Sequence, residues 1–456
     1  MRKLTIVFHH AGGGHQSAAD ALKATLAGQE HPWDVNLLDI QELLDPLDLL
    51  RRATGLRIQD TYNLILRKGW TRFTPQLLVI LQGTIRLYHS PIVKALRAYW
   101  AEHPADLVLS VIPHFNREIA ESLRPVGIRT PREIPIWPSQ AGRDALKAQP
   151  SAAKAASMAG ANGTAEAVPY PKLSGNEPNQ RILNSRTLGT ETAITKPPFV
   201  TLITDLADYP PHFWIERESE YIIVGSERAR QQALTIGHPA DHIFQTSGMI
   251  LKPRFYEKTT VDRVAERKRL GLEPDCLTGV VLFGGYGSRV MVDITRKLNE
   301  AGSGVQLILI CGHNQKLSAE LKNLRTRKPV LVVGFAQNVE HYMALADFFI
   351  GKPGPGSVSE ALQFHLPVIV ECNSRTLPQE RYNAEWVTEN GFGIVVPSFK
   401  RIAPAVQCLL ESATFNAFRM KANEYSNRAL FEVPIILEEC APHTAATIQR
   451  QAAVLI

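Results

Sequence analysis

The chain has 456 residues, 45% hydrophobic and 21% charged, with a formal net charge of +6. That length suits two or three domains, and that composition supports buried cores, which excludes a chain disordered throughout. Five scattered cysteines, never in a CxxC pair, read as free thiols in a reducing compartment and suggest no zinc site.

The opening apolar run, residues 4–8, is too short for a signal peptide. No stretch approaches the roughly 18 apolar residues of a spanning helix. A cytoplasmic chain is expected, free to lie on a membrane. Residues 4–8 read as a strand, Gly12-Gly13-Gly14 as a turn, 17–26 as a helix and 35–38 as a second strand: a βαβ opening.

The stretch 51–100 concentrates charge. Arg51, Arg52, Arg57, Arg67, Lys68, Arg72, Arg86, Lys94 and Arg97 stand against one acid, Asp60. Trp70, Phe73 and Trp100 lie among them, with the apolar run Leu77 to Leu81. Cations meet anionic lipid and aromatic rings settle at headgroup level, so the stretch reads as a membrane-surface anchor. A solvated helix face is the plainer alternative. Nucleic acid is disfavoured, because the second half has no basic continuation.

A strand is expected at 107–111. Residues 138–198 are rich in Ala, Ser, Pro, Gly, Asn and Thr, with Tyr170 as their only aromatic. Such a segment cannot bury enough apolar surface to offset ordering, so a flexible insertion is expected. Strands resume at 199–203 and 221–224, with a helix over 227–234. Residues 248–253 read as an interdomain linker. Beyond them, strands at 280–283, 306–310, 330–333, 348–350, 368–370 and 394–396 alternate with helical patterns. That alternation implies a second parallel sheet. The predicted fold is α/β, with two Rossmann-like domains over 1–250 and 251–420. A helical tail, 421–456, returns to the first domain.

Four segments can carry chemistry. The first is His9-His10-Ala11-Gly12-Gly13-Gly14-His15. Gly14 opens a helix whose free N–H groups suit an anion. His15 at that helix start is kept neutral by the helix dipole and can act as a base. The dinucleotide fingerprint is broken by Ser17, although Asp39 stands where a ribose-binding acid would. The second segment is Phe283-Gly284-Gly285-Tyr286-Gly287-Ser288, again strand to glycine turn. The third is Gly351-Lys352-Pro353-Gly354-Pro355-Gly356-Ser357, a rigid loop leading into a helix, with Glu360 one turn inside and able to accept from a diol. The fourth is Pro378-Gln379-Glu380-Arg381-Tyr382-Asn383, with two adjacent polar groups suited to sugar hydroxyls. Two glycine loops opening separate domains suggest a cleft with a ligand at the strand carboxyl ends.

In this order, together with Thr204-Asp205, Phe213-Trp214, Cys311-Gly312-His313-Asn314 and Gly334-Phe335, these segments resemble the monogalactosyldiacylglycerol synthase and processive diacylglycerol glucosyltransferase family. More distantly the chain is similar to the undecaprenyl N-acetylglucosaminyltransferase of peptidoglycan synthesis. Residues 130–198 match nothing in that pattern, and Pro378 stands where the family has glycine. The resemblance implies a GT-B fold and an inverting hexosyltransferase. It would act at the inner face of the cell membrane, moving sugar from a UDP-sugar to a lipid such as diacylglycerol.

On that resemblance His15 is the catalytic base. Gly14, Gly285, Tyr286, Gly287, Gly354, Gly356 and Ser357 surround the diphosphate. Backbone from Phe335 to Val339 holds uracil, Glu360 the ribose, and Gln379 and Glu380 the sugar. No metal or separate cofactor is implied. Two other readings compete: a non-catalytic sugar-nucleotide-binding protein and an NAD-type oxidoreductase. A sugar-nucleotide epimerase of the same fold is a further enzymatic alternative.

Overall fold

The computed structural model describes residues 1–10, 13–29, 33–48, 51, 74–125, 196–209, 213–257 and 261–441. The expected insertion over 138–198 lies almost wholly outside the described residues, as does the tail beyond 441. The segments 1–126 and 197–456 form one compact unit that holds two six-stranded sheets. Both sheets are parallel throughout.

The first sheet runs β2-β1-β3-β4-β5-β6. Its strands are β1 (Lys3–Phe8), β2 (Asp34–Asp39), β3 (Leu107–Ser110), β4 (Phe199–Leu202), β5 (Tyr221–Val224) and β6 (Ile243–Gln245). The central strands β3 and β4 are buried at every residue, and the edge strand β2 alternates. Continuous apolar runs are what a sheet covered on both faces requires. Strand β6 was not anticipated, since Ile243-Phe244-Gln245 is too short to show a period.

The second sheet runs β12-β11-β10-β7-β8-β9. Its strands are β7 (Thr278–Leu282), β8 (Gln306–Ile310), β9 (Val330–Val333), β10 (Phe348–Gly351), β11 (Val368–Glu371) and β12 (Gly393–Val396). Gly279 and Gly393 admit neighbours where a Cβ would clash. At Gly279 it would lie 2.7 Å from the Phe348 ring, and at Gly393 1.9 Å from the Val368 carbonyl.

Residues 248–251 are not loosely tethered. Met249 and Leu251 are buried. A Cβ on Gly248 would lie 2.3 Å from the Tyr425 hydroxyl, and Asn427 donates to the Met249 carbonyl at 2.8 Å. The helix Ala429–Cys440 packs Leu430, Val433 and Leu437 into the core of the first sheet. Glu438 on it accepts from the Trp33 indole at 2.7 Å and pairs with Arg2.

The basic stretch is only partly described. The helices Thr74–Leu87 and His89–Glu102 occupy its second half. Arg52, Arg57, Arg67, Lys68, Arg72, Trp70 and Phe73 lie outside the described residues. Two members expected at a lipid surface serve packing instead. The Trp100 indole donates to Ser122 Oγ at 2.8 Å, and Arg97 reaches the Glu121 carbonyl at 3.4 Å. The apolar run divides as well: Leu78 is buried, whereas Ile80 is 63% exposed, with Leu87 on the same helix at 81%. Among the described residues, no helix is long and apolar enough to cross a membrane.

Candidate active site

In each sheet the strand order reverses direction once, and a crevice at the strand carboxyl ends is the usual ligand site of such folds. In the first sheet the reversal lies between β1 and β3. The chain leaves β1 through the glycine turn, with Gly13 left-handed at φ 77, and enters the helix Gly14–Ala27. His15 is its second residue. Its Nδ1 lies 2.9 Å from the Val111 carbonyl, just beyond β3, and 3.0 Å from Thr204 Oγ1, just beyond β4. A carbonyl can only accept, so Nδ1 carries the proton and Nε2 keeps the lone pair.

Burial drives the His15 pKa down to about 4. Desolvation, rather than the helix dipole invoked from sequence, is the principal cause. Two more imidazoles crowd it. His9 meets the His15 ring edge-on at 4.5 Å and is held well below its ordinary range, first by burial and then by its histidine neighbours. His114 is pushed down to about 3 by burial and by His15. At neutral pH all three are uncharged.

The turn after β3 is strained. His114 and Phe115 are consecutive non-glycine residues in the left-handed region, at φ 62 and 52. Each such residue costs about 1–3 kcal/mol and persists only where its surroundings fix it. Here the His114 N–H donates to the Phe213 carbonyl at 2.7 Å and its ring packs on Phe213 at 4.4 Å.

Asp205 is the functional candidate that sequence reasoning passed over. In the sequence it stands out only as part of the Thr204-Asp205 pair. Its Oδ2 accepts from the fully buried Trp214 indole at 2.9 Å, and that indole ring lies 5.6 Å from the His15 ring. Burial pushes the Asp205 carboxyl up to about 7, against the Trp214 hydrogen bond and with Glu380 and Lys352 of the second sheet acting on it. A lone acid after a strand has no periodic signature. The signal available was its place at a strand end with an aromatic pair downstream. Asp39 is engaged elsewhere: it caps a short helix through the Gln41 N–H at 2.9 Å and lies 3.3 Å from His10 Nε2.

In the second sheet the reversal lies between β7 and β10, and the two glycine loops follow those strands. A Cβ on Gly284 would lie 3.9 Å from Lys352 Cε, so the loops adjoin. Gly284 and Gly287 are left-handed, at φ 71 and 59. A Cβ on Gly312 would sit 2.1 Å from the Gly285 carbonyl, which also accepts from the His313 N–H at 2.9 Å. The backbone of this site is therefore built by close approach, with Tyr286 left 43% exposed above it.

Beyond β10 the helix Pro355–Gln363 begins two residues earlier than the Ser357 start read from sequence, with Gly354 as its cap and proline first. Proline at that position lacks only an N–H that would have no helical partner. Gly356 and Ser357 lie in the first turn, where a Cβ added to Gly356 meets nothing within 4 Å. Lys352 Nζ pairs with Glu380 Oε1 at 2.6 Å, joining this loop to the Pro378–Glu380 turn that carries Gln379. Asn383 donates to the Pro353 carbonyl at 2.7 Å and holds the loop from beneath. Glu380, expected to contact the sugar, is half of an ion pair with Lys352, a cation to which the sequence reading gives no separate role.

Glu360 lies in the second turn of that helix. Burial raises its carboxyl to about 7, with Glu340 adding to the rise and Lys252 and Arg254 opposing it. Arg254 also reaches the Gln337 carbonyl and lies 3.7 Å from Glu340, tying the Phe335–Val339 backbone to the segment after β6. Val339 opens the helix Val339–Leu345. Phe335, 56% exposed, stacks on the His313 ring at 4.0 Å. Beside it lies a cavity of about 370 Å³ lined by Tyr286, His313, Asn314, Gln315 and Lys316. Of the expected residues, His15 therefore stands with Trp214 and Asp205, the glycine loops and Glu380 with Lys352, Phe335 with His313, and Glu360 in the helix that follows the third loop.

Comparison with known proteins agrees with this architecture. Residues 280–432 match the glycosyltransferase family 28 C-terminal domain. Monogalactosyldiacylglycerol synthase of Spinacia oleracea is 32% identical over 234 residues, which is 50% of this chain and 43% of that protein. The probable monogalactosyldiacylglycerol synthase of Nicotiana tabacum is 33% identical over 233 residues, 50% of this chain and 42% of that protein. The matched segment thus spans less than half the length of these curated relatives.

The crystal structure of Acinetobacter baumannii MurG superposes with a TM-score of 0.54 at 11% identity, covering 96% of this chain and 99% of that one. UDP-GlcNAc 2-epimerase from Neisseria meningitidis, solved with UDP-GlcNAc, superposes at 0.52 with 11% identity, covering 96% of this chain and all of that one. At such identities the likeness concerns the fold, which is GT-B. Residues 280–432 therefore carry the likeness to the glycosyltransferase family 28 C-terminal domain, in a GT-B chain similar over half its length to the monogalactosyldiacylglycerol synthases.

Proposed function

We propose that the chain transfers a hexosyl unit from a UDP-sugar to a lipid hydroxyl such as that of diacylglycerol, with inversion at the anomeric carbon. The observation that carries this reading is the pairing of unlike sites at the two strand-order reversals. One holds part-buried proton acceptors, a neutral His15 and an Asp205 raised to about 7, and the other holds backbone turns, a helix start and a lysine.

In this reading the acceptor hydroxyl attacks the anomeric carbon and the new C–O bond forms. The bond from that carbon to the diphosphate oxygen breaks, and UDP leaves with the electron pair. The hydroxyl proton goes to His15 Nε2, the nitrogen that keeps its lone pair. Asp205 is the second group suited to hold a proton near neutrality.

The turns at Gly14, Gly285–Gly287 and Gly354–Ser357, with Lys352, stabilise the charge growing on the departing diphosphate. Glu360 accepts from the ribose hydroxyls, the Phe335–Val339 segment takes uracil, and Gln379 and Glu380 read the sugar. Donor entry at Lys352 would loosen its pair with Glu380 and turn that carboxylate toward the sugar. The exposed Ile80 and Leu87, with Arg86 and Lys94 and the basic sequence over 52–72, are assigned to an anionic membrane surface on the cytoplasmic side.

Mass spectrometry of lipids after incubation with diacylglycerol and each of UDP-glucose, UDP-galactose and UDP-N-acetylglucosamine tests the proposal. One glycolipid should appear with stoichiometric UDP. UDP binding without any transfer would instead favour a sugar-nucleotide-binding protein, and interconversion of the UDP-sugars would favour an epimerase.

A further inference from the structure

His15 is oriented by a carbonyl, and that carbonyl belongs to the strained turn after β3. The turn's geometry depends on one side chain. Asn116 is fully buried. Its Nδ2 donates to the Ile112 carbonyl at 3.1 Å and to the Trp214 carbonyl at 3.0 Å. Its Oδ1 accepts from Ser110 Oγ at 2.6 Å. Both donor hydrogens and the acceptor are used, so the amide can sit only one way.

These bonds join three pieces of the site. Ser110 ends β3, whose register with β1 continues one step further through the Val111 N–H donating to the Val7 carbonyl at 3.0 Å. Ile112 adjoins Val111, the residue whose carbonyl meets His15. Trp214 packs beside the His15 ring and donates to Asp205. Between Ile112 and Asn116 lie the two left-handed residues, His114 and Phe115, which by themselves favour another backbone shape. A solvated turn would relax, and this one is pinned at both ends.

We propose that Asn116 is a positioning residue for His15: by clamping the strained 111–115 turn to Trp214 it holds the Val111 carbonyl on Nδ1 and leaves Nε2 as the proton acceptor. The inference rests on His15 serving as base in the proposed transfer, but the tautomer it predicts is measurable without turnover. Loss of the clamp lets the turn relax toward ordinary backbone, the carbonyl swings off Nδ1, and both neutral tautomers become populated. Only one of them presents a lone pair on Nε2.

The test is nitrogen NMR of the full chain labelled with ¹⁵N-histidine, with the His15 signals assigned by their loss in His15→Gln. In the native protein at pH 7, Nδ1 should read as protonated and Nε2 as bare. In Asn116→Ala both signals should move toward averaged positions. The kcat should fall about tenfold or more, the scale expected when a reacting group is misplaced, while KM for the donor stays within about twofold of native. Ser110→Ala, which removes the donor to Asn116 Oδ1 and that hydroxyl's longer contacts with the Ile112 carbonyl and N–H at 3.4 and 3.5 Å but leaves both Asn116 donor bonds, should shift the same signals less and remain folded.

A native His15 protonated on Nε2 would overturn the proposal. So would a folded Asn116→Ala with unchanged signals and kcat. Should Asn116→Ala fail to fold, a Ser110→Ala protein with native tautomer and native kcat overturns it. A chain that transfers no sugar to any lipid would defeat the functional reading while leaving the tautomer result to stand or fall separately.

Discussion

Replacing Glu360 by glutamine makes the sharpest test of the donor half of the site. Burial lifts the Glu360 carboxyl from 4.5 to about 7 in the folded chain. An acid whose pKa is raised on folding lends stability that is fully present below its unfolded value and is lost as pH rises through the folded one. That displacement amounts to about 3 kcal/mol at most. Glutamine resembles the neutral acid and cannot ionise. Urea denaturation should therefore find Glu360→Gln and the native chain alike near pH 4. The variant should be the more stable above pH 8, by up to about 3 kcal/mol. Donor binding should show the opposite preference. A ribose diol donates hydrogen bonds, so the bound state favours the carboxylate, and binding near pH 6 must expel a proton. UDP-glucose suits the assay, because its phosphate diesters do not titrate in this range. Calorimetry in two buffers of different ionisation heat should detect proton release for the native chain and less for the variant. The lost charge-assisted bond should weaken binding above pH 8 by about 1.5–3 kcal/mol. Parallel stability curves, or equal heats in both buffers together with unchanged affinity, would refute the reasoning.

His15→Ala should lower transfer by roughly 10²–10⁴-fold with UDP affinity nearly unchanged; native turnover in a UDP-release assay would remove it as base. Asp205→Asn should cut kcat and flatten the rise of activity between about pH 6 and 8, since burial places its titration near 7. An unaltered pH profile would leave Asp205 a structural partner of Trp214. Ile80→Asp with Leu87→Asp should reduce sedimentation with anionic liposomes, because both side chains are exposed on one helix. Native binding in that variant, or equal binding to neutral and anionic vesicles, would remove the surface assigned to lipid.

The second sheet was legible because its six strands are short, apolar and separated by helical periods. All six appear within about two residues of where hydrophobic pattern puts them. The first sheet was legible except for β6, whose three residues carry no period, and for the helices over 74–102, where basic and aromatic residues suggested a surface before they suggested packing. Residue pairs were harder to see. Lys352 with Glu380, His15 with Val111, and Trp214 with Asp205 are 28, 96 and 9 positions apart. Such pairs arise from strand order, which local pattern does not encode. The glycine at 312 illustrates the same limit. From sequence it belongs to a family string. In the fold it is the only residue type that fits over the Gly285 carbonyl at φ 59.

The electrostatic arrangement explains why the two halves would need each other. Around His15 burial disfavours charge on every titratable neighbour named here: His9 and His114 lie far below their ordinary range, and Asp205, raised to about 7, is only partly ionised near neutral pH. A base held near 4 accepts a proton only weakly by itself, since catalytic acids and bases work best with values near the ambient pH. With Asp205 only partly ionised, such a pocket holds little negative charge to stabilise an imidazolium. In the proposed reading the second half would bring that charge in, on a diphosphate met by backbone N–H groups and Lys352. A bound donor would raise the basicity of His15 at the moment an acceptor hydroxyl must lose its proton. In the donor's absence the same histidine, neutral and desolvated, would be a poor activator of water. The pocket's low polarity is then what ties proton transfer to the presence of the sugar nucleotide.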